Sequence, residues 1–168
     1  GTRQRFVVER PKLVQHLAVR FKRPQFLHQR CDQIERPALF VRSFDPAGLD
    51  AMLLTHGHID HIGLIPKLVK NGFNKKIHCT AATVDLCAVM LPDSGFIQES
   101  DAKFQNKRNR QRGLPEIEPI YTLEDAMNAL EHFAPLEYET WIEPAKGIRA
   151  RWWNAGHLLG SASIEVEV

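Results

Sequence analysis

The sequence predicts a layered α/β or α+β domain over residues 45–168, and three observations carry that expectation. Short apolar runs of strand length alternate with stretches of helical spacing in the order β-α-β-α-α-α-β-β. A length of 168 residues allows one domain with a sizeable core, and 43% hydrophobic with 25% charged residues is ordinary for a globular chain. Internal repeats and low-complexity tracts are absent. No apolar run approaches the roughly 20 residues that span a bilayer, and the N-terminus has no apolar signal region, so no membrane partner is expected.

The elements follow in order. Residues 1–44 form an atypical basic segment to which the sequence assigns no stable architecture. Leu13, Val14, Leu17 and Ala18 would share a helical face, but Pro11, Pro24 and Pro37 cut the stretch into short pieces. Residues 45–48 (DPAG) are turn chemistry. Residues 51–55 (AMLLT) have the pattern of a buried strand. A helix is expected over 62–71, stopped by Gly72 in the left-handed region. A second strand covers 76–80 and an apolar helix 81–91. A separate polar helix runs from 97 to about Arg112, with Gly113 as its stop, and 115–119 is extended linker. Thr122 and Asp125 resemble a capping box, with Asp replacing the usual Glu or Gln, opening a helix that reaches Phe133. Residues 147–154 and 161–168 alternate as half-buried strands, which places one of Trp152 and Trp153 in the core.

Charge is distributed unevenly. The formal net charge of +2 combines 10 Lys+Arg against 3 Asp+Glu in residues 1–44 with 12 against 17 in the rest. Such asymmetry can mark a nucleic-acid-binding arm. No glycine occurs between Gly1 and Gly48. Cys31, Cys79 and Cys87 are odd in number and form no CxxC pair, which favours small buried residues in a reducing, cytoplasmic setting. Lys103, Lys107, Arg108, Arg110 and Arg112 form a basic cluster that reads as a solvated helix face or as a phosphate contact.

Chemistry concentrates at residues 56–61 (HGHIDH). His56, His58, Asp60 and His61 are four metal-competent side chains within six positions, directly after an apolar strand. Zinc favours imidazole nitrogen and carboxylate oxygen, and hydrolytic sites leave a position for water. Ligands held where a strand ends are held rigidly. His56 and His58 can point to one side while Asp60 and His61 turn toward a second metal. Two ions roughly 3.5–4 Å apart can share a hydroxide available at neutral pH. Gly57 and Gly63 let the backbone crowd around the ions. His16, His28, His78 and His132 are scattered and read as ordinary surface or core histidines.

Residues 54–61 (LTHGHIDH) resemble the HxHxDH signature of the metallo-β-lactamase superfamily, and Asp50, six residues before His56, also fits. Residues 155–162 (AGHLLGSA) resemble its third metal motif in the AGHxLGSA form of the β-CASP branch of RNA- and DNA-processing nucleases. Residues 91–101 (LPDSGFIQESD) and 115–125, with EPIYT at 118–122, resemble two further stretches of that branch. The resemblance covers about residues 45–168 and implies an αββα metallo-β-lactamase-like sandwich, incomplete in this chain. It implies that His56, His58 and His157 bind one Zn2+ and that Asp60 and His61 contribute to a second, with Asp60 also orienting the attacking hydroxide. Two Zn2+ would make a complete site, of which the second is incomplete here. RNA, with DNA as the variant, is the implied partner, and a homodimer is an assembly open to such a chain.

The family's bridging aspartate, its later zinc-binding histidine and the β-CASP domain with its general acid would all follow Val168. The opening strands with their glycine-rich loop have no counterpart in residues 1–44, which fits a truncated or frame-disturbed reading frame better than a divergent basic arm. The leading expectation is thus a ribonuclease whose metal-bridging hydroxide attacks RNA phosphodiesters, present as a truncated part that is weakly active or inactive by itself. The alternatives are a non-catalytic zinc-binding fragment or scaffold, and another superfamily hydrolase acting on a thioester or lactam. Endo- and exonucleolytic action are not distinguished by these residues.

Overall fold

The computed structural model describes residues 45–168 and, ahead of them, the backbone of two strands, β1 (Phe6–Val7) and β2 (His16–Val19). Strand β3 (Ala51–Leu54) is followed by two short helices, α1 (Ile59–Ile62) and α2 (Ile65–Lys70). Strand β4 (Ile77–Thr80) leads directly into the long helix α3 (Ala81–Gln111), and α4 (Leu123–Leu130) follows. The chain then forms β5 (Phe133–Leu136), β6 (Ile142–Ala145), β7 (Ile148–Asn154) and β8 (Ala162–Glu167).

The strands form two four-stranded sheets, ordered β1-β8-β7-β6 and β2-β3-β4-β5. The first is antiparallel throughout. The second pairs β2 antiparallel to β3 and keeps β3, β4 and β5 parallel. Strand β3 is buried along its whole length because it is covered on both faces. Leu53 points to the interface between the sheets, where Trp152, Ala150 and Ala162 meet it. Met52 and Leu54 point the other way, into a core with Ile62, Leu68, Leu91 and Ala129 from the four helices. Successive side chains of a strand alternate in direction, so one four-residue run serves both cores. The result is the mixed α/β sandwich expected: a helical layer, a mixed sheet and an antiparallel sheet.

Five local expectations need correction. Leu17 and Ala18 lie on β2, not on a helical face, because the edge of β3 supplies them a ladder of hydrogen bonds; Leu13, Val14, His28 and Cys31 lie outside the described residues. The helix over 62–71 is two helices broken at Gly63 and Leu64, and Gly72 does take a positive φ of 109° after the second. The helices expected over 81–91 and from residue 97 are one, running through Pro92. Proline removes one N–H from a helix interior, at a cost of about 3 kcal/mol, so packing must compensate. It does so at Gly95, whose Cβ would stand 2.8 Å from the Thr122 carbonyl oxygen, and at Ser94, whose Oγ accepts from Tyr121 Oη at 2.8 Å. Glycine here permits a close crossing of helices rather than ending one. The helix from Thr122 has its capping box, but ends at Leu130. Phe133 opens β5, paired with Ile77 of β4. Strands β5 and β6 carry Pro135 and Pro144, which hid them from a pattern-based reading.

Candidate metal centre

Three elements meet at the C-terminal end of β3. The chain leaves β3 at Thr55, and His56 is buried beneath the loop that His58 closes as the residue ahead of α1. Gly57 lies against Leu86 of α3: an added Cβ would stand 3.2 Å from the Leu86 Cβ. The loop between β7 and β8 reaches the same place because Ala162 N–H donates to the Thr55 carbonyl at 2.8 Å and the buried Trp152 indole N–H donates to the Leu54 carbonyl at 3.0 Å.

That loop is held at both ends. Gly156 N–H donates to Asn154 Oδ1 at 2.8 Å, and the His157 and Leu158 N–H groups both donate to Ser161 Oγ at 3.0 Å. The Gly160 carbonyl accepts from Thr80 Oγ1 at 2.7 Å and Thr83 Oγ1 at 3.1 Å, which ties the loop to the first turn of α3. Gly160 has φ +80°, and a Cβ there would lie 2.7 Å from Thr83 N, so only glycine fits. Thr55, Thr80, Thr83 and Ser161 are the supporting residues that the sequence reading did not single out. Isolated Thr and Ser carry no signal of their own, although Gly160 and Ser161 stood inside the quoted AGHLLGSA stretch.

The outcome is a cluster of imidazoles. One ring nitrogen from each of His56, His58 and His157 lies within 4.8 Å of the other two. His56 Nε2 is 3.1 Å from His58 Nδ1, and the three rings meet edge to face, with centroids 4.9–5.1 Å apart. Thr55 Oγ1 lies 2.9 Å from His56 Nδ1, so the threonine occupies one ring nitrogen and leaves Nε2 for the cluster. Burial, and then the neighbouring His61, His58 and His157, push the His56 pKa down to about 4. His56 is therefore neutral at physiological pH, with a lone pair to offer. Burial lowers His61 too, partly offset by Asp60.

The other residues of the motif sit beside this cluster. The His61 ring lies 4.1 Å from that of His56, centroid to centroid, and its Nε2 is 3.6 Å from Asp60 Oδ2. Asp60 is 77% exposed at its side chain, open to solvent at the rim. Asp50 is not near: it precedes β3 and lines a cleft at the opposite end of the sheet with Lys75, Lys76 and His78. His132 Nδ1 donates to the Lys75 carbonyl oxygen at 3.0 Å, an ordinary surface histidine. Cys79 and Cys87 are buried, as expected of small core residues, and burial drives both thiol pKa values up, that of Cys87 to about 12. Trp152 is core and Trp153 is 37% exposed.

A family model described as the metallo-beta-lactamase superfamily matches residues 22–154, most of the chain. The chain belongs to the metallo-β-lactamase superfamily. The match begins inside the basic segment and stops three residues short of His157, which the geometry above brings to His56 and His58. Among curated relatives, a ribonuclease of Thermus thermophilus, TTHA0252, is 36% identical over 121 residues, covering 72% of this chain and 24% of that protein. The transcription termination factor FttA of Methanococcus maripaludis is 32% identical over 131 residues, and that of a Lokiarchaeum species 34% over 130. Those alignments cover 78% and 77% of this chain and 18% of each relative. The chain thus spans about a fifth to a quarter of the length of these relatives. As a member of this superfamily with three convergent imidazoles, the chain carries a site for a divalent metal. None of the described helices is long and apolar enough to cross a membrane.

Proposed function

We propose that residues 45–168 are part of the metallo-β-lactamase domain of a zinc-dependent ribonuclease that cleaves RNA phosphodiester bonds in the cytoplasm. The observation that carries this reading is the convergence of His56, His58 and His157, with their nitrogens inside 4.8 Å. The donor set fits the ion: all three are imidazoles, His56 is held neutral, and His58 and His157 are exposed on the outer side, so substrate can approach. RNA is the substrate class because relatives at 29–36% identity are named as a ribonuclease and as transcription termination factors.

When bound, zinc supplies Lewis acidity and a nucleophile at neutral pH. The chain's own residues do the rest. Thr55 engages His56 Nδ1 and leaves Nε2 toward the cluster, the Gly160 carbonyl and Ser161 hold the His157 loop in register, and Trp152 ties β7 to the end of β3 through the Leu54 carbonyl. Asp60 and His61 stand beside the triad, where they would serve a second ion, and the exposed Asp60 carboxylate would accept a proton from water and orient it.

The test is His58→Ala in the full-length protein, with zinc measured by elemental analysis and cleavage measured on labelled RNA. The expected result is loss of about one zinc per chain together with cleavage. Cleavage that survives loss of the metal would overturn the proposal.

A further inference from the structure

Helix α3 carries an outer face that its packing does not use. Its inward face is formed by Thr83, Cys87, Leu91, Gly95 and Ala102. On the far side, Val89 is 71%, Phe96 60% and Phe104 64% exposed. Solvated helix faces are ordinarily polar, so large apolar side chains at this exposure mark a contact. The charge on the same helix changes sign along its length. Asp85, Asp93, Glu99 and Asp101 stand in its first two thirds. From residue 102 to residue 115 there is no acidic residue and there are five basic ones. Of these, Arg110 is engaged with Glu116 at 3.3 Å, while Lys103, Lys107 and Arg108 have no carboxylate partner among the described residues. The Arg108 guanidinium lies 5.9 Å from the centre of the Phe104 ring.

The position of this patch relative to the histidine cluster follows from helix geometry. Leu86 abuts Gly57, inside the histidine loop. Phe104 stands 18 residues further on, roughly five turns at 3.6 residues each, so it projects from the same side of the helix about 27 Å away. At a rise of about 3.4 Å per nucleotide, that distance is roughly eight stacked nucleotides. Lys107 and Arg108 neighbour Phe104 at spacings of three and four, and Lys103, four residues before Lys107, extends the patch beside it.

We infer that the face of α3 bearing Phe104, Lys103, Lys107 and Arg108 is a contact surface for single-stranded RNA, in line with the histidine cluster and about eight nucleotides from it. A flat aromatic ring flanked by cations is the arrangement that binds single strands without regard to sequence: bases stack and phosphates are neutralised. Charge complementarity favours a polyanion over an apolar protein partner, since Lys107 and Arg108 frame the ring and neither they nor Lys103 meet a carboxylate among the described residues. This inference deepens the RNA reading above and rests on it.

The experiment measures equilibrium binding, not cleavage, of a fluorescein-labelled oligouridylate by the full-length protein with metal stripped by chelator. An oligonucleotide of about 20 nucleotides exceeds the roughly eight needed to span the distance. A K103Q/K107Q/R108Q variant should bind at least about tenfold more weakly, and the slope of log affinity against log salt should become shallower by about 2, as expected for three lost phosphate contacts. Phe104→Ala should weaken binding roughly tenfold at an unchanged salt slope. All four positions are exposed, so folding is preserved, and zinc uptake on reloading and far-UV circular dichroism check this. Unchanged affinity in either variant overturns the inference. A Phe104→Ala variant that loses a protein partner or changes oligomeric state while binding RNA normally overturns it in favour of a protein contact. Failure of the metal reading would appear separately, as cleavage that survives loss of the metal in the His58→Ala variant, with these binding losses intact.

Discussion

Gly160→Ala is the substitution that most directly separates the scaffold of the site from its ligands. Gly160 has φ +80°, and its carbonyl accepts two threonine hydroxyls. An alanine there meets two costs. The left-handed conformation disfavours any Cβ by about 1–2 kcal/mol. The new methyl would also lie 2.7 Å from the Thr83 backbone nitrogen and 2.8 Å from both threonine Oγ1 atoms, against an ordinary contact of 3.4–4 Å. The nitrogen belongs to the first turn of α3 and does not yield, so the loop must move by more than half an ångström. That movement weakens two hydrogen bonds worth about 1 kcal/mol each. Together the costs reach about 3 kcal/mol. The loop is peripheral, so the apo protein relieves the strain by swinging His157 outward; metal binding must then restore it.

The expected result is metal affinity lower by roughly a hundredfold, read by competition with a chromophoric chelator, with a smaller change in apo-protein melting. Gly156→Ala is the control. Gly156 also has a positive φ, 63°, but a Cβ there has nothing within 4 Å. It should cost only the conformational share, about tenfold or less in affinity. Equal effects of the two substitutions would refute the argument that contact with α3 positions His157.

Two further outcomes follow from the packing of α3 and α4. Gly95→Ala places a methyl 2.8–2.9 Å from the Thr122–Leu123 backbone and should destabilise the fold by about 1–3 kcal/mol, measured by urea denaturation; a neutral effect would mean that the helices do not cross there. Asp125 supplies a pH dependence. Burial acts to raise its pKa, but the hydrogen bond from Lys70 and those from Thr122 outweigh it and hold the carboxyl below its ordinary 3.8. A depressed folded pKa stabilises the fold above the unfolded value and is lost as pH falls through the folded one. The stability gap between the native protein and Asp125→Asn should therefore be constant above about pH 5 and shrink as pH falls below 3.8. A gap that widens on acidification would show that Asp125 is not ionised in the cap.

Local chemistry made much of the molecule legible in its residues alone. An apolar run of strand length, a dense HxHxDH turn and a Thr122–Asp125 cap each carry their reason within a few positions, because metal ligation and capping need particular atoms at short spacing. Family membership was legible for the same reason, as was the burial of one tryptophan of the 152–153 pair. Where the reading failed, a non-local contact outweighed a local rule. Pro92 and Gly95 look like a helix break until Thr122 and Tyr121 are seen packed against them, and β5 and β6 contain prolines that strand patterns exclude but sheet edges and partners tolerate. The resemblance implied that His157, about a hundred residues from His56, joins His56 and His58, and the tertiary structure brings the three rings together; only the tertiary structure decided that Asp50, six residues from His56, stands apart. Direction along a strand separates residues near in sequence by the length of the sheet, and sheet pairing brings distant loops to one end.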